Sequence, residues 1–128
     1  MKIDELNYVD TANNVILALK NDDKFGKLTL TTSKIRNLLS MTSALYTDAQ
    51  QQREDKLSTE MQSRVQYLRM RVAYEAGRDQ TETVKSFVVK AELLEQLSAI
   101  RDDRKKLLLF CRYMEALVAY HRFHGGQD

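Results

Sequence analysis

The sequence MQSRVQYLRMRVAYEAGR, residues 61–78, decides the fold of this chain. Its apolar side chains recur at intervals of three and four residues, which places them on one face of an α-helix. These residues are Met61, Val65, Leu68, Val72 and Ala76. Ser58 or Thr59 is suited to cap the start of the helix, and Gly77 is predicted to cap its end. The stretch therefore predicts one long helix that buries a single stripe.

Four further segments on either side of this stretch have the same helical periodicity. They run from about Asp4 to Lys20, from the Thr31-Thr32-Ser33 cap to Ala49, from Thr81 or Thr83 to Leu97, and from Asp102 or Asp103 to about His124. The last helix is apolar on almost every side at residues 107–111, so it is predicted to be the central one. Short connections between long helices favour an all-α fold, a compact antiparallel bundle of about five helices forming a single domain over residues 1–128.

The composition excludes several other classes of protein. The absence of Pro and the presence of only 4 Gly among 128 residues argue against an all-β sandwich or barrel. A single cysteine leaves no partner for an intrachain disulfide and no cysteine pair for zinc. No apolar run is long enough to span a membrane, and the first residues, MKIDELNYVD, lack the apolar stretch of a secretory signal. The predicted location is therefore the cytoplasm.

The residue types that carry enzymatic chemistry do not form a catalytic pattern. Cys111 lies on an apolar helical stripe, where a thiol is usually inert. His121 and His124 are three residues apart, but no Glu-x-x-His motif accompanies them. No glycine-rich phosphate loop or nucleophile motif is present. The sequence predicts no catalytic residue, no metal and no cofactor, and a cysteine- or metal-dependent hydrolase is the least favoured alternative.

Arginines form a line along the helix predicted at residues 61–78. Members of the line are seven residues apart, so each is rotated by only about 20° from the one before. The line consists of Arg64, Arg71 and Arg78, with Tyr67 and Tyr74 beside it and Arg69 on the opposite flank. Guanidinium groups fork onto phosphate oxygens and tyrosines stack on bases, so the pattern is typical of a nucleic-acid backbone contact. The alternative is an amphipathic helix whose arginines pair with acidic side chains.

Two further basic clusters flank predicted helix starts. Lys34 and Arg36 follow the Thr31-Thr32-Ser33 cap, where free backbone N–H groups attract anions. The alternative there is a well-capped helix with exposed basic residues. The stretch of residues 101–106, RDDRKK, is interpreted as a solvated or ion-paired face. The net charge of +2 is too small to identify a partner, although eight of the ten arginines lie in residues 61–128.

Three stretches resemble the small subunit of type III-A CRISPR–Cas (Csm) effector complexes. They are LTTSKIR at residues 30–36, VQYLRMRVAYEAGR at residues 65–78, and RYMEALVAYHRFHGG at residues 112–126. The last is the most specific, because a long helix that ends in this pattern and a double glycine is a hallmark of that family. The resemblance covers nearly the whole chain from about residue 28 onward.

The resemblance implies a helical, non-catalytic protein of RNA-guided antiviral defence. Such subunits stack in several copies, opposite backbone subunits and with the large Palm-domain subunit, along the channel where CRISPR RNA pairs with target RNA. Contact with the RNA backbone is then expected from Lys34, Arg36, Arg64, Arg69, Arg71 and Arg78, and from Tyr67 and Tyr74. The alternative is a purely structural packing subunit or adaptor bundle without direct RNA contact.

Overall fold

Seven α-helices and no β-strand make up the computed structural model, which describes residues 1–128. The helices are α1 (Tyr8–Asp22), α2 (Thr32–Ser40), α3 (Ser43–Gln51), α4 (Thr59–Arg78), α5 (Thr83–Lys90), α6 (Leu93–Ile100) and α7 (Arg104–Phe123). The predicted all-α bundle is confirmed. The predicted number of about five helices is wrong, because two of the predicted helices are each broken in the middle.

The backbone breaks both helices without interrupting the apolar spacing of the sequence. Between α2 and α3, the Thr42 hydroxyl donates a hydrogen bond to the Leu39 carbonyl at 2.7 Å, and the Thr42 backbone N–H donates to the same oxygen. A side chain that bonds its own backbone in this way competes with the helical ladder. Between α5 and α6, Glu92 adopts a left-handed conformation with φ of 54°, which no regular helix contains.

The helix caps agree with the sequence at two helix starts and differ at two other boundaries. Ser58 accepts the backbone N–H of Met61 and caps α4, and Asp103 caps α7. Gly77 does not end α4 as predicted, since the helix continues to Arg78. The predicted start of the first helix at Asp4 is also wrong. The Asp4 carboxylate instead accepts the backbone N–H groups of the next residues and holds a turn before α1.

The last helix is the centre of the bundle, as predicted. α7 packs against α1, α2, α3 and α6, whereas α4 packs on the other side against α3, α5 and α6. The α2–α3 pair runs antiparallel to α7, since Leu30 lies beside His121 and Ala49 lies beside Arg104. α1 runs in the same direction as α7, because Met1 contacts Tyr113 and Asn13 contacts His124. The bundle is therefore of mixed direction.

The double glycine at the end of α7 joins that helix to the start of α2. The Nε2 atom of His121 lies 2.6 Å from the Leu30 carbonyl oxygen, and a Cβ atom on Gly126 would lie 2.1 Å from the imidazole ring. Beyond the glycines, the Gln127 carbonyl accepts the backbone N–H of Thr32. Two of the stretches that carry the family resemblance thus contact each other.

Candidate functional site

Helix α4 has one buried face and one face rich in exposed aromatic and basic side chains. The stripe predicted from its spacing is buried, from Met61 to Ala76. On the outer face, Tyr67, Met70 and Tyr74 are each more than half exposed. The Arg71 guanidinium lies 5.5 Å from the centre of the Tyr74 ring, a cation–π contact. The outer face of α4 is therefore available to a ligand or partner.

The arginine line follows the border between α4 and the α2–α3 pair. Arg64 donates to Asp48 of α3 at 2.7 Å, and Arg78 donates through Nε to Glu75 at 2.7 Å. The Nη2 atom of Arg71 lies 3.4 Å from the other Glu75 oxygen. All three arginines are thus ion-paired, as the alternative interpretation expected. Their side chains still remain 33%, 40% and 59% exposed in chain order, so other N–H groups face solvent.

Glu75 is one of the few buried charged residues of the protein. Its carboxylate raises the pKa of Arg78 through a hydrogen bond and through charge attraction. Sequence reasoning missed this residue. The signal that finds it is the spacing, because Glu75 lies four residues after Arg71 and three before Arg78, the two intervals at which helical side chains meet.

Lys34 lies close to the end of the arginine line. Its Nζ atom is 3.0 Å from Asp79 and 3.1 Å from the Thr81 hydroxyl. The backbone N–H of Val84 and the Thr81 hydroxyl, together with Lys34, hold the pKa of the Asp79 carboxyl well below its usual range. A cavity of about 390 Å³ between α2 and the end of α4 is lined by Ser33, Lys34, Asn37, Glu75, Arg78 and Gln80 among others. The structure therefore brings Lys34 and Arg78 together.

A second groove lies between α3 and α4, near the start of the line. It measures about 270 Å³ and is lined by Met41, Ala44, Leu45, Arg64, Tyr67, Leu68 and Arg71. The two grooves thus adjoin opposite ends of one surface. We call the surface formed by Lys34, Arg64, Tyr67, Arg71, Tyr74 and Arg78 the α4 arginine surface.

Two of the predicted contact residues lie apart from this surface. Arg36 lines a separate cavity with Arg122 and Asp128. There the Asp128 carboxylate accepts the Ser33 backbone N–H at 2.9 Å and the Ser33 hydroxyl at 2.7 Å, so the start of α2 already holds an internal anion. These two hydrogen bonds lower the pKa of Asp128. Arg69 is exposed on the other flank of α4, where it contacts Gln66.

The thiol and the two histidines serve packing. Burial raises the pKa of the Cys111 thiol to about 12, which removes the thiolate that a nucleophile needs. His121 is directed to the Leu30 carbonyl and His124 to the Asn13 side chain, so the two rings have no common target. No group of three or more His, Cys, Asp or Glu side chains is arranged to hold a metal ion. None of the seven helices is long and apolar enough to cross a membrane.

Comparison with known proteins identifies the family. The family model for type III-A Csm2 proteins matches residues 12–127. The chain belongs to the Csm2 family of type III-A CRISPR systems. It is 48% identical to the CRISPR system Cms protein Csm2 of Streptococcus thermophilus over 122 residues, which cover 95% of this chain and 94% of that protein.

Two further Csm2 proteins are similar over shorter lengths. That of Mycobacterium tuberculosis is 48% identical over 99 residues, 77% of this chain and 78% of its own. That of Enterococcus italicus is 36% identical over 101 residues, 77% of this chain and 71% of its own. The resemblance found in the sequence is thereby confirmed, and the chain is the small subunit of a type III-A Csm complex.

Proposed function

We propose that this Csm2 protein is a non-catalytic subunit that contacts the RNA backbone through the α4 arginine surface. The observation that carries the proposal is the line of three arginines along α4, each ion-paired on one side and exposed on the other. The line spans about 21 Å from Arg64 to Arg78 at 1.5 Å per residue, a length that covers several nucleotides. Pairing with the guide supplies sequence specificity, so the protein needs only charge and shape.

The chemistry of the surface suits phosphate oxygens and bases together. Arginines that already hold one carboxylate keep further N–H groups for a second acceptor, and charge-assisted hydrogen bonds to phosphate are the strong ones. Exposed Tyr67 and Tyr74 next to the line add faces on which unpaired bases stack. Lys34 extends the basic surface onto α2 as a compact charge.

The partners follow from this role. Copies of the chain stack along the channel formed with the backbone subunits and the large Palm-domain subunit, where CRISPR RNA pairs with target RNA. The assembly acts in RNA-guided antiviral defence in the cytoplasm. Arg36 and Arg69 lie outside the α4 arginine surface, and they contact RNA only if the RNA path is wider than α4.

A second candidate is a packing subunit whose α4 faces protein instead of RNA. The observation that favours it is Met70, which is more than half exposed between the two tyrosines. Exposed apolar side chains in a row are typical of protein contacts. In this case the arginines would hold acidic surfaces of a neighbouring subunit.

Equilibrium binding to fluorescent RNA separates the two candidates. The triple variant Arg64→Ala, Arg71→Ala, Arg78→Ala should bind single-stranded and duplex RNA about 10-fold or more weakly at low salt, because it lacks three phosphate contacts. The matched control Arg53→Ala, Lys105→Ala, Lys106→Ala removes the same charge from exposed positions elsewhere and should retain most of the affinity. Equal losses in both variants would leave only a general charge effect and would reject the α4 arginine surface.

A further inference from the structure

One carboxylate holds two arginines of the α4 arginine surface. Oε2 of Glu75 accepts the Nε–H of Arg78 at 2.7 Å, and Oε1 lies 3.4 Å from Nη2 of Arg71. The two arginines are seven residues apart, about 10.5 Å along the helix axis. Because both side chains reach toward the residue between them, their guanidinium groups converge. The pair therefore presents two positive groups close together instead of two independent ones.

Glu75 differs from the other acidic partner of the line. The Glu75 side chain is 10% exposed, whereas that of Asp48, which pairs with Arg64, is 48% exposed. A buried carboxylate has few rotamers and is fixed by the surrounding core, so it can hold a partner in place. An exposed carboxylate shares its position with solvent and holds its partner weakly. The burial of Glu75 is thus the feature that its charge alone does not explain.

We propose that Glu75 is a positioning residue, which pre-orders the guanidinium groups of Arg71 and Arg78 for neighbouring phosphates of an RNA strand. The inference rests on the proposed function of the α4 arginine surface. A flexible arginine loses rotamer freedom when it binds, and a side chain already held in place loses less. Arg78 donates through Nε to Glu75, which leaves the outer nitrogens of its guanidinium group for phosphate oxygens.

This role makes a prediction opposite to that of simple charge. Removing a negative group from a basic surface should strengthen RNA binding if charge alone matters. If Glu75 acts by position, Glu75→Gln should instead weaken RNA binding about 3- to 10-fold, since the ordering cost of one or two long side chains returns. The dependence of affinity on salt should also become shallower, because fewer phosphates are neutralised at once.

The experiment measures RNA affinity for the wild type, Glu75→Gln and the control Asp48→Asn. Asp48→Asn removes an exposed charge beside Arg64 and should bind RNA as well as the wild type or better. In the background Arg71→Ala, Arg78→Ala, Glu75→Gln should have no further effect on affinity. A purely structural role of Glu75 would not produce that dependence on the two arginines. Circular dichroism and thermal unfolding check that each variant is folded.

A second substitution guards against loss of the fold. Glu75→Leu replaces the buried carboxylate by an apolar side chain of similar size, an exchange that buried ion pairs often tolerate. It should weaken RNA binding as Glu75→Gln does. Binding by either folded variant that equals or exceeds that of the wild type would overturn the positioning role alone. Absence of RNA binding by the wild type would overturn the proposed function as well.

Discussion

The Nε2 atom of His121 lies 2.6 Å from the carbonyl oxygen of Leu30, and this contact fixes the end of α7 against the start of α2. Because a carbonyl oxygen only accepts, Nε2 must carry the proton. His121 is buried, so the bond satisfies two polar groups that would otherwise lack partners. The histidine next to the double glycine therefore has a structural function.

Gly126→Ala should destabilise the protein through this contact. A Cβ atom at residue 126 would lie 2.1 Å from the His121 ring, so the ring must move away from Leu30. We expect a loss of about 1–3 kcal/mol in the free energy of unfolding, the usual range for overpacking. Urea denaturation of the wild type and the variant measures it, and an unchanged midpoint would contradict the account.

Gly77→Ala is the matched substitution with the opposite sign. Gly77 lies inside α4, and a Cβ atom there would meet nothing within 4 Å. Alanine in a helix interior is favoured over glycine by about 1 kcal/mol, so the variant should unfold at higher temperature. A lower unfolding temperature would show that the helix needs the glycine for a reason that its surroundings do not reveal.

The sequence predicted the fold class and the central helix because both depend on apolar spacing. It did not predict the breaks at Thr42 and Glu92, since the apolar residues continue in helical register across both. Those breaks depend on one hydroxyl bond and one left-handed residue. Spacing also misled at Gly77, because a glycine three positions from the end of an apolar stripe predicts a cap only if the backbone turns there.

The candidate site shows the same division. The spacing of the arginines placed three of them on one line, and the structure confirms that arrangement along α4. Their partners could not be predicted with equal ease, since Asp48 comes from another helix. Arg36 is separated from the line because Asp128 occupies the start of α2, a contact between residues 95 positions apart.

Asp79 should make stability depend on pH in the acid range. Its hydrogen bonds hold the pKa of the folded state below the ordinary value of about 3.9, so its contribution is complete above that value and declines as pH falls below it. Asp79→Asn should therefore be less stable than the wild type at pH 6, and the difference should shrink toward pH 3. Urea midpoints at both pH values measure it. A difference that is constant with pH would exclude the ionised carboxylate as the cause.

Cys111 should not react while the protein is folded. Burial raises the pKa of its thiol to about 12, so almost no thiolate exists at neutral pH and reagents cannot reach the sulfur. We expect an aromatic disulfide reagent to label it only after denaturant is added. Rapid labelling of the native protein would show that α7 opens at its centre.

The dependence of RNA affinity on salt tests the central claim most directly. Each phosphate contact with single-stranded RNA contributes about 0.7 to the slope of log affinity against log salt. The variant Arg64→Ala, Arg71→Ala, Arg78→Ala should therefore have a slope shallower by about 2 than that of the wild type, while Arg53→Ala, Lys105→Ala, Lys106→Ala keeps the wild-type slope. Equal slopes for the wild type and the α4 variant would contradict direct contact between these arginines and the RNA backbone.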